Sequence, residues 1–198
     1  VKQSPAKIVT VHRTADGVVY LKRSRHDSFK WRPQKYWFKS SPGRSEWQSA
    51  KALQAQGIPI VHNLAICEIW SLFGLKEDIL FTEGFDGKPL DEAENADPRC
   101  VIDFVEKCHR KGMIHGDLHS GNLLVHRKTG ELRLVDLKGI RFESKPNLNK
   151  QEWDLALLNL KFPMPLSKRL LQLSDAIRRQ KMAGRSSRSL KQHRNFKP

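Results

Sequence analysis

Residues 113–125, M-I-H-G-D-L-H-S-G-N-L-L-V, hold the groups of this chain best suited to chemistry. His115, Asp117 and Asn122 follow the spacing H-x-D-L-x-x-x-N, that of a phosphoryl-transfer catalytic loop. A second carboxylate, Asp136, ends the apolar stretch L-R-L-V downstream. Phosphoryl transfer needs one carboxylate to accept the proton of the attacking hydroxyl. It also needs an amide oxygen and a further carboxylate to hold Mg²⁺ against the nucleotide phosphates. Asp117 is placed as the base, with Asn122 and Asp136 as metal ligands.

The same residues admit other readings. His115, Asp117 and His119 alternate, so on an extended segment they share a face and suit a zinc-dependent hydrolase. They also suit a polar turn with no chemistry. The zinc reading leaves Asn122 and Asp136 without roles, whereas phosphoryl transfer uses both. In the phosphoryl-transfer reading His115 is structural and His119 has no assigned role.

The elements that must position these groups are legible along the chain. Residues 8–14 and 18–22 read as strands joined by A-D-G, a hairpin signal. Residues 1–7 would be a preceding strand end and a nucleotide-covering loop without glycines. Lys22 closes the second strand, where a lysine for the α- and β-phosphates of ATP belongs, and Lys39 is its rival. Residues 45–56 predict a helix with Ser45 and Gln48 as a capping box and Gly57 as its stop. Glu46 shares a face with Ala50 and Leu53 and is the natural partner of Lys22; the plainer alternative is complementing the helix N-terminus. Strands at 64–70 and 78–83 follow. The second runs into G-F-D-G, where backbone at Glu83 and Phe85 would meet an adenine edge or simply leave a strand. Asp97 and Pro98 open a helix ending before Gly112. Strands at 123–125 and 132–135 flank a turn, and helices are expected at 151–160 and from Ser167 to about 179. Asp154, the one acid within W-D-L-A-L-L, either ties down the loop backbone or is an exposed helix residue.

The totals bound the rest. At 198 residues the chain accommodates one domain or a pair of small lobes. Cys67, Cys100 and Cys108 show no C-x-x-C spacing and read as buried small hydrophobes in a reducing compartment. No uncharged apolar run is long enough to cross a bilayer. No signal peptide is visible, and Val1 in place of Met marks a fragment or a processed form. The net charge of +15 is concentrated in two segments. Residues 20–44 carry eight Lys/Arg against Asp27 alone, and residues 176–198 carry eight Lys/Arg and no acid. A neutral body with two basic patches implies an anionic partner.

Taken in order, V-Y-L-K-R, S-E-W-Q-S-A-K-A-L-Q-A-Q-G-I-P, F-T-E-G-F, I-H-G-D-L-H-S-G-N-L-L-V, L-V-D and W-D-L-A-L-L resemble the bacterial lipopolysaccharide kinases, which phosphorylate Kdo or heptose of the inner core. The resemblance runs from residue 22 to residue 160. It implies an α+β, protein-kinase-like fold: a small antiparallel-sheet N-lobe at 1–83, a reduced helical C-lobe at 84–180, and a basic, disordered tail at 181–198. It further implies an ATP- and Mg²⁺-dependent sugar kinase, monomeric and peripheral on the cytoplasmic face of the inner membrane of a Gram-negative bacterium. Small atypical protein kinases of the RIO type and nonenzymatic kinase-like scaffolds are the rivals. The chain departs from the usual D-F-G with D-L-K at 136–138, and the sequence after it is too short for a long regulatory loop. Residues 29–38, F-K-W-R-P-Q-K-Y-W-F, interleave rings and cations. That composition suits packing on the sheet, a membrane or glycolipid surface, or, ranked last, single-stranded nucleic acid.

Overall fold

The computed structural model of the chain describes residues 7–15, 17–26, 33–145 and 147–193. Residues 1–6 of the loop expected at 1–7 and the first aromatics of the 29–38 segment lie outside them, and Lys7 already belongs to the first strand. β1 (Lys7–Thr14) and β2 (Gly17–Arg25) pair antiparallel from Lys7↔Ser24 to Thr14↔Gly17. β2 continues three residues past Lys22, so Lys22 sits inside the strand, opposite Val9 on one side and Leu80 on the other. A short 3-10 turn (Pro33–Trp37) follows. Its Tyr36 is buried against the His26 ring, with centroids 4.7 Å apart, while Trp37 and Phe38 are 54% and 89% exposed.

α1 (Pro42–Ala55) starts earlier than expected. Ser41, not Ser45, is the cap: its hydroxyl accepts from the Arg44 N–H at 2.9 Å. Pro42, whose fixed φ suits the first turn, then begins the helix instead of preceding it. Gly43 is needed for close approach, since a Cβ there would lie 2.6 Å from Asp78 Oδ1. The predicted face is buried through Glu46, Ala50 and Leu53. β3 (Asn63–Ser71) and β4 (Gly74–Glu83) complete a sheet of order β1-β2-β4-β3. β4 begins at Gly74 rather than at 78 because its hairpin closes tightly at Ser71↔Gly74. The tip residues Leu72 and Phe73 are apolar and give no turn signal, so the hairpin is not readable from composition.

After β5 (Gly87–Pro89), α2 (Pro98–Arg110) is capped as expected, Asp97 accepting from the Arg99 N–H at 2.8 Å. β6 (Met113–Ile114) leads into the loop and β7 (Leu123–His126) leaves it; β7 pairs with β5 on one side and with β8 (Leu132–Leu134) on the other in a second sheet. β9 (Arg141–Phe142) pairs back onto β6. α3 (Leu148–Leu158) starts ahead of residue 151 because Asn147 caps it, accepting from the Lys150 N–H at 3.3 Å. α4 (Lys168–His193) follows Ser167, which accepts from the Leu170 N–H at 3.4 Å. It continues well past 179 into the segment expected to be a disordered arm; Gly184 is its poorest helix former and no proline interrupts it.

The main core lies beneath the loop, where Leu53, Val101, Val105, Met113, Leu118, Leu123, Leu134 and Leu158 form one cluster. Leu53 carries α1 into that core and so fastens the first sheet to the second half of the chain. Among the cysteines only Cys108 is buried, and burial pushes its thiol up to about 12. Cys67 and Cys100 are exposed, against expectation, because β3 is an edge strand and Cys100 sits on the outer side of the first turn of α2. Among the described residues no helix is long and apolar enough to cross a membrane.

Candidate active site

The first sheet and the loop meet at a cavity of about 420 Å³ lined by Lys22, Glu46, Glu83, Phe85, Asn122 and Asp136, among others. Strand pairing on both sides fixes the backbone of Lys22, and its Nζ donates to Glu46 Oε2 at 2.7 Å and to Asp136 Oδ1 at 2.9 Å. Lys39, its rival in sequence, is exposed and does not line this cavity. Burial alone would lower the Lys22 ammonium, but the two carboxylates outweigh it and raise its pKa.

Asp136 follows β8 with φ 54, a left-handed conformation that Asp tolerates better than most residues. Its second oxygen, Oδ2, accepts from Lys138 Nζ at 3.1 Å. Burial opposes the charge, yet Lys22 and Lys138 together hold the Asp136 carboxyl at about 2, below its ordinary 3.8. A depressed carboxylate contributes stability that is present above its unfolded value and lost as pH falls through its folded one. Asp136→Asn keeps the backbone conformation but not the charge. At neutral pH it should cost about 1 kcal/mol, discounted for partial exposure. Urea unfolding across a pH series should show the two proteins converging as the pH falls from near 4 to about 2.

Asp154 organises the loop itself. It is fully buried on α3 and accepts from the His115 N–H at 2.9 Å and the Gly116 N–H at 2.8 Å, with His109 Nε2 at 3.3 Å. Of its two sequence readings, the structure shows the loop tie. Burial pushes the His115 imidazole below its ordinary value despite the nearby Asp154 charge. Asn122 Nδ2 donates to the Asp117 carbonyl at 2.9 Å, which leaves the Asn122 side-chain oxygen for another partner. His119 Nδ1 accepts from the Gly121 N–H at 3.1 Å and so shapes the turn into Asn122. Asn122 and Asp136 line the first cavity together, and Asp117 is tied to Asn122 through its backbone carbonyl. The Asp117 side chain is exposed at the mouth of a second cavity beside the first.

Among the described residues no three His, Cys, Asp or Glu groups cluster to hold a metal ion. The set present is one ionised carboxylate and one free amide oxygen. It fits Mg²⁺, which keeps several waters and takes few protein ligands, better than zinc.

At the far wall the Glu83 carboxylate accepts from the His62 N–H and from Arg133 Nη1, both at 3.0 Å. The Arg133 guanidinium lies 4.7 Å from the centroid of the Phe85 ring. Arg133 and Lys138 were not singled out from the sequence. Arg133 carries no motif and meets Glu83 only through the fold. Lys138 stood within the D-L-K departure, whose spacing could have marked it.

A sequence model of the family described as lipopolysaccharide core biosynthesis protein (WaaY) matches residues 78–156. Among curated proteins, the serine/threonine-protein kinase pim-2 of Danio rerio is 42% identical over 36 residues, 18% of this chain and 12% of that protein. The chain thus aligns with a small part of that relative. Among solved structures, WaaP, determined in complex with acyl carrier protein, superposes with a TM-score of 0.59 at 19% identity, over 86% of this chain and 73% of that one. The chain has the α+β, protein-kinase-like fold of WaaP, with a WaaY-like segment that runs from within β4 through the 113–125 loop into α3.

Proposed function

We propose that this chain is an ATP-dependent kinase that transfers the γ-phosphoryl group to a sugar hydroxyl of the lipopolysaccharide inner core, on Kdo or heptose. The observation that carries the reading is the meeting of Lys22, Glu46, Asn122 and Asp136 around one cavity, within a fold and a sequence segment similar to lipopolysaccharide core proteins. Lys22, steadied by Glu46, binds the α- and β-phosphates, and the backbone at Glu83 and Phe85 receives the adenine edge. Asn122 and Asp136 would hold Mg²⁺, which neutralises charge on the phosphates when bound. The acceptor hydroxyl oxygen forms a bond to the γ-phosphorus as the bond to the β-bridging oxygen breaks. ADP leaves with that electron pair, and the hydroxyl proton passes to the Asp117 carboxylate.

The two basic patches, with exposed Trp37 and Phe38 beside Lys35 and Lys39, suit the anionic inner surface of a Gram-negative inner membrane. Work there as a peripheral, monomeric cytoplasmic enzyme follows from the same reading. The short likeness to a serine/threonine kinase supports a second reading, with a protein hydroxyl as acceptor. Incubation with labelled ATP, Mg²⁺ and either core lipopolysaccharide lacking phosphate or purified protein separates the two. Label in the sugar fraction is expected; label confined to protein selects the second reading. A thermal shift produced by MgATP and abolished in Asp136→Ala is expected of both, and its absence in the unaltered protein overturns the kinase assignment.

A further inference from the structure

Lys22 is one of three ammonium groups gathered beside the first cavity. In the pairing of β1 with β2, Val9 lies opposite Lys22 and Lys7 opposite Ser24. Val9 lines the cavity. Side chains two apart on a strand share a face, so Lys7 stands on the cavity side of the sheet, about 7 Å further along the strands than Lys22. Lys7, Lys22 and Lys138 together line a narrow crevice with Glu46. Three cations from three places in the chain therefore face two carboxylates. Lys22 takes Glu46 and one oxygen of Asp136, and Lys138 takes the other oxygen. Asp78, which also lines the crevice, is held by His26 at 2.6 Å. Lys7 has no ion-pair partner among the described residues. Burial lowers its pKa, and the neighbouring charges of Lys138 and Lys22 lower it further. Like charges crowded into a half-buried site are stabilised by an anion placed between them.

We propose that Lys7 and Lys138 clamp the terminal phosphate of the nucleotide, so that the chain selects triphosphates by side-chain charge. The identity of the anion rests on the kinase reading above; the surplus of cations does not. Lys22 is assigned to the α- and β-phosphates, so a longer phosphate chain is what reaches the two lysines beyond it. A phosphate cradle built from backbone N–H groups needs glycines for its close approach. Residues 1–7 contain none. Lys7, at the start of β1, and Lys138, two residues after Asp136, supply flexible ammonium donors in their place. Such a clamp has two consequences. Affinity should rise with each phosphate added, and that rise should be sensitive to salt, because the lysines are partly exposed to solvent.

The test measures binding to the whole chain by titration calorimetry with Mg²⁺ present. The probes are AMP, ADP, a non-hydrolysable ATP analogue and inorganic tripolyphosphate. The unaltered protein should bind the ATP analogue roughly tenfold more tightly than ADP, and tripolyphosphate should bind without any adenine. Lys7→Ala should weaken the ATP analogue and tripolyphosphate roughly tenfold to a hundredfold, the scale of a lost charge-assisted hydrogen bond. It should leave AMP within about twofold. Lys7→Arg keeps the charge and should restore most of the lost affinity. Lys138→Ala should act in the same direction; because Lys138 also holds Asp136, Lys7→Ala is the cleaner variant. Raising salt from about 0.05 M to about 0.5 M should narrow the preference for the triphosphate. Equal binding of ADP and the ATP analogue, a loss in Lys7→Ala that AMP shares, or no loss at all would each overturn the clamp and leave the kinase reading intact. Lysine-dependent binding of tripolyphosphate with no binding of adenine nucleotides would keep the clamp as an anion site and overturn the kinase reading. Binding of none of the four probes would overturn both.

Discussion

Asp117→Ala should reduce phosphoryl transfer by roughly 10²- to 10⁴-fold, the contribution expected of a positioned general base. The same variant should fold and bind nucleotide as the unaltered protein does. The loop's contacts with Asp117 are made to its backbone carbonyl, which accepts from the His119 N–H at 3.0 Å and from Asn122 Nδ2 at 2.9 Å. Alanine retains that carbonyl. The side chain is exposed, so its removal should change stability by no more than about 0.5 kcal/mol. Transfer of label from ATP, measured beside the MgATP thermal shift, checks both halves. Robust transfer in Asp117→Ala would show that some other group takes the proton.

Asp154→Ala has the opposite signature: a large loss of stability from a residue that lines neither cavity. Its carboxylate is fully buried and supplies acceptors to two successive loop N–H groups, with His109 close by. Alanine leaves those donors in the interior without partners, a loss of about 3 to 5 kcal/mol. For a chain of this size that lowers Tm by roughly 10 °C. Asp154→Asn keeps one acceptor oxygen and should lose about half as much. Thermal denaturation followed by circular dichroism measures both. An alanine variant within a degree or two of the unaltered protein would mean that the loop is held by other contacts.

The residues that line the first cavity were legible in the sequence because their spacing is set by local geometry. The H-x-D-L-x-x-x-N loop is one contiguous motif, Asp136 ends a contiguous apolar run, and the Glu46–Ala50–Leu53 face follows the helical period. Element ends were less legible where two signals competed. Ser41 and Ser45 both stand before a helical face, and Pro42 between them decides the cap only once its backbone angle is known. The least legible parts were partners from distant elements. Arg133 and Glu83 lie 50 residues apart, and nothing near either one specifies the other. The openness of Cys67 and Cys100 was hidden for a related reason: a residue type reports a preference for burial, while the fold decides that β3 is an edge strand and which side of α2 faces outward.

The pairing of β6 with β9 places Met113 opposite Phe142 and Ile114 opposite Arg141. Few residues separate Asp136 from that ladder, so the stretch that follows the carboxylate is stitched to the entrance of the 113–125 loop. A segment fastened at that point has no slack with which to swing across the cleft. Under the kinase reading, control would then fall on the arrival of nucleotide and acceptor rather than on a swing of this stretch.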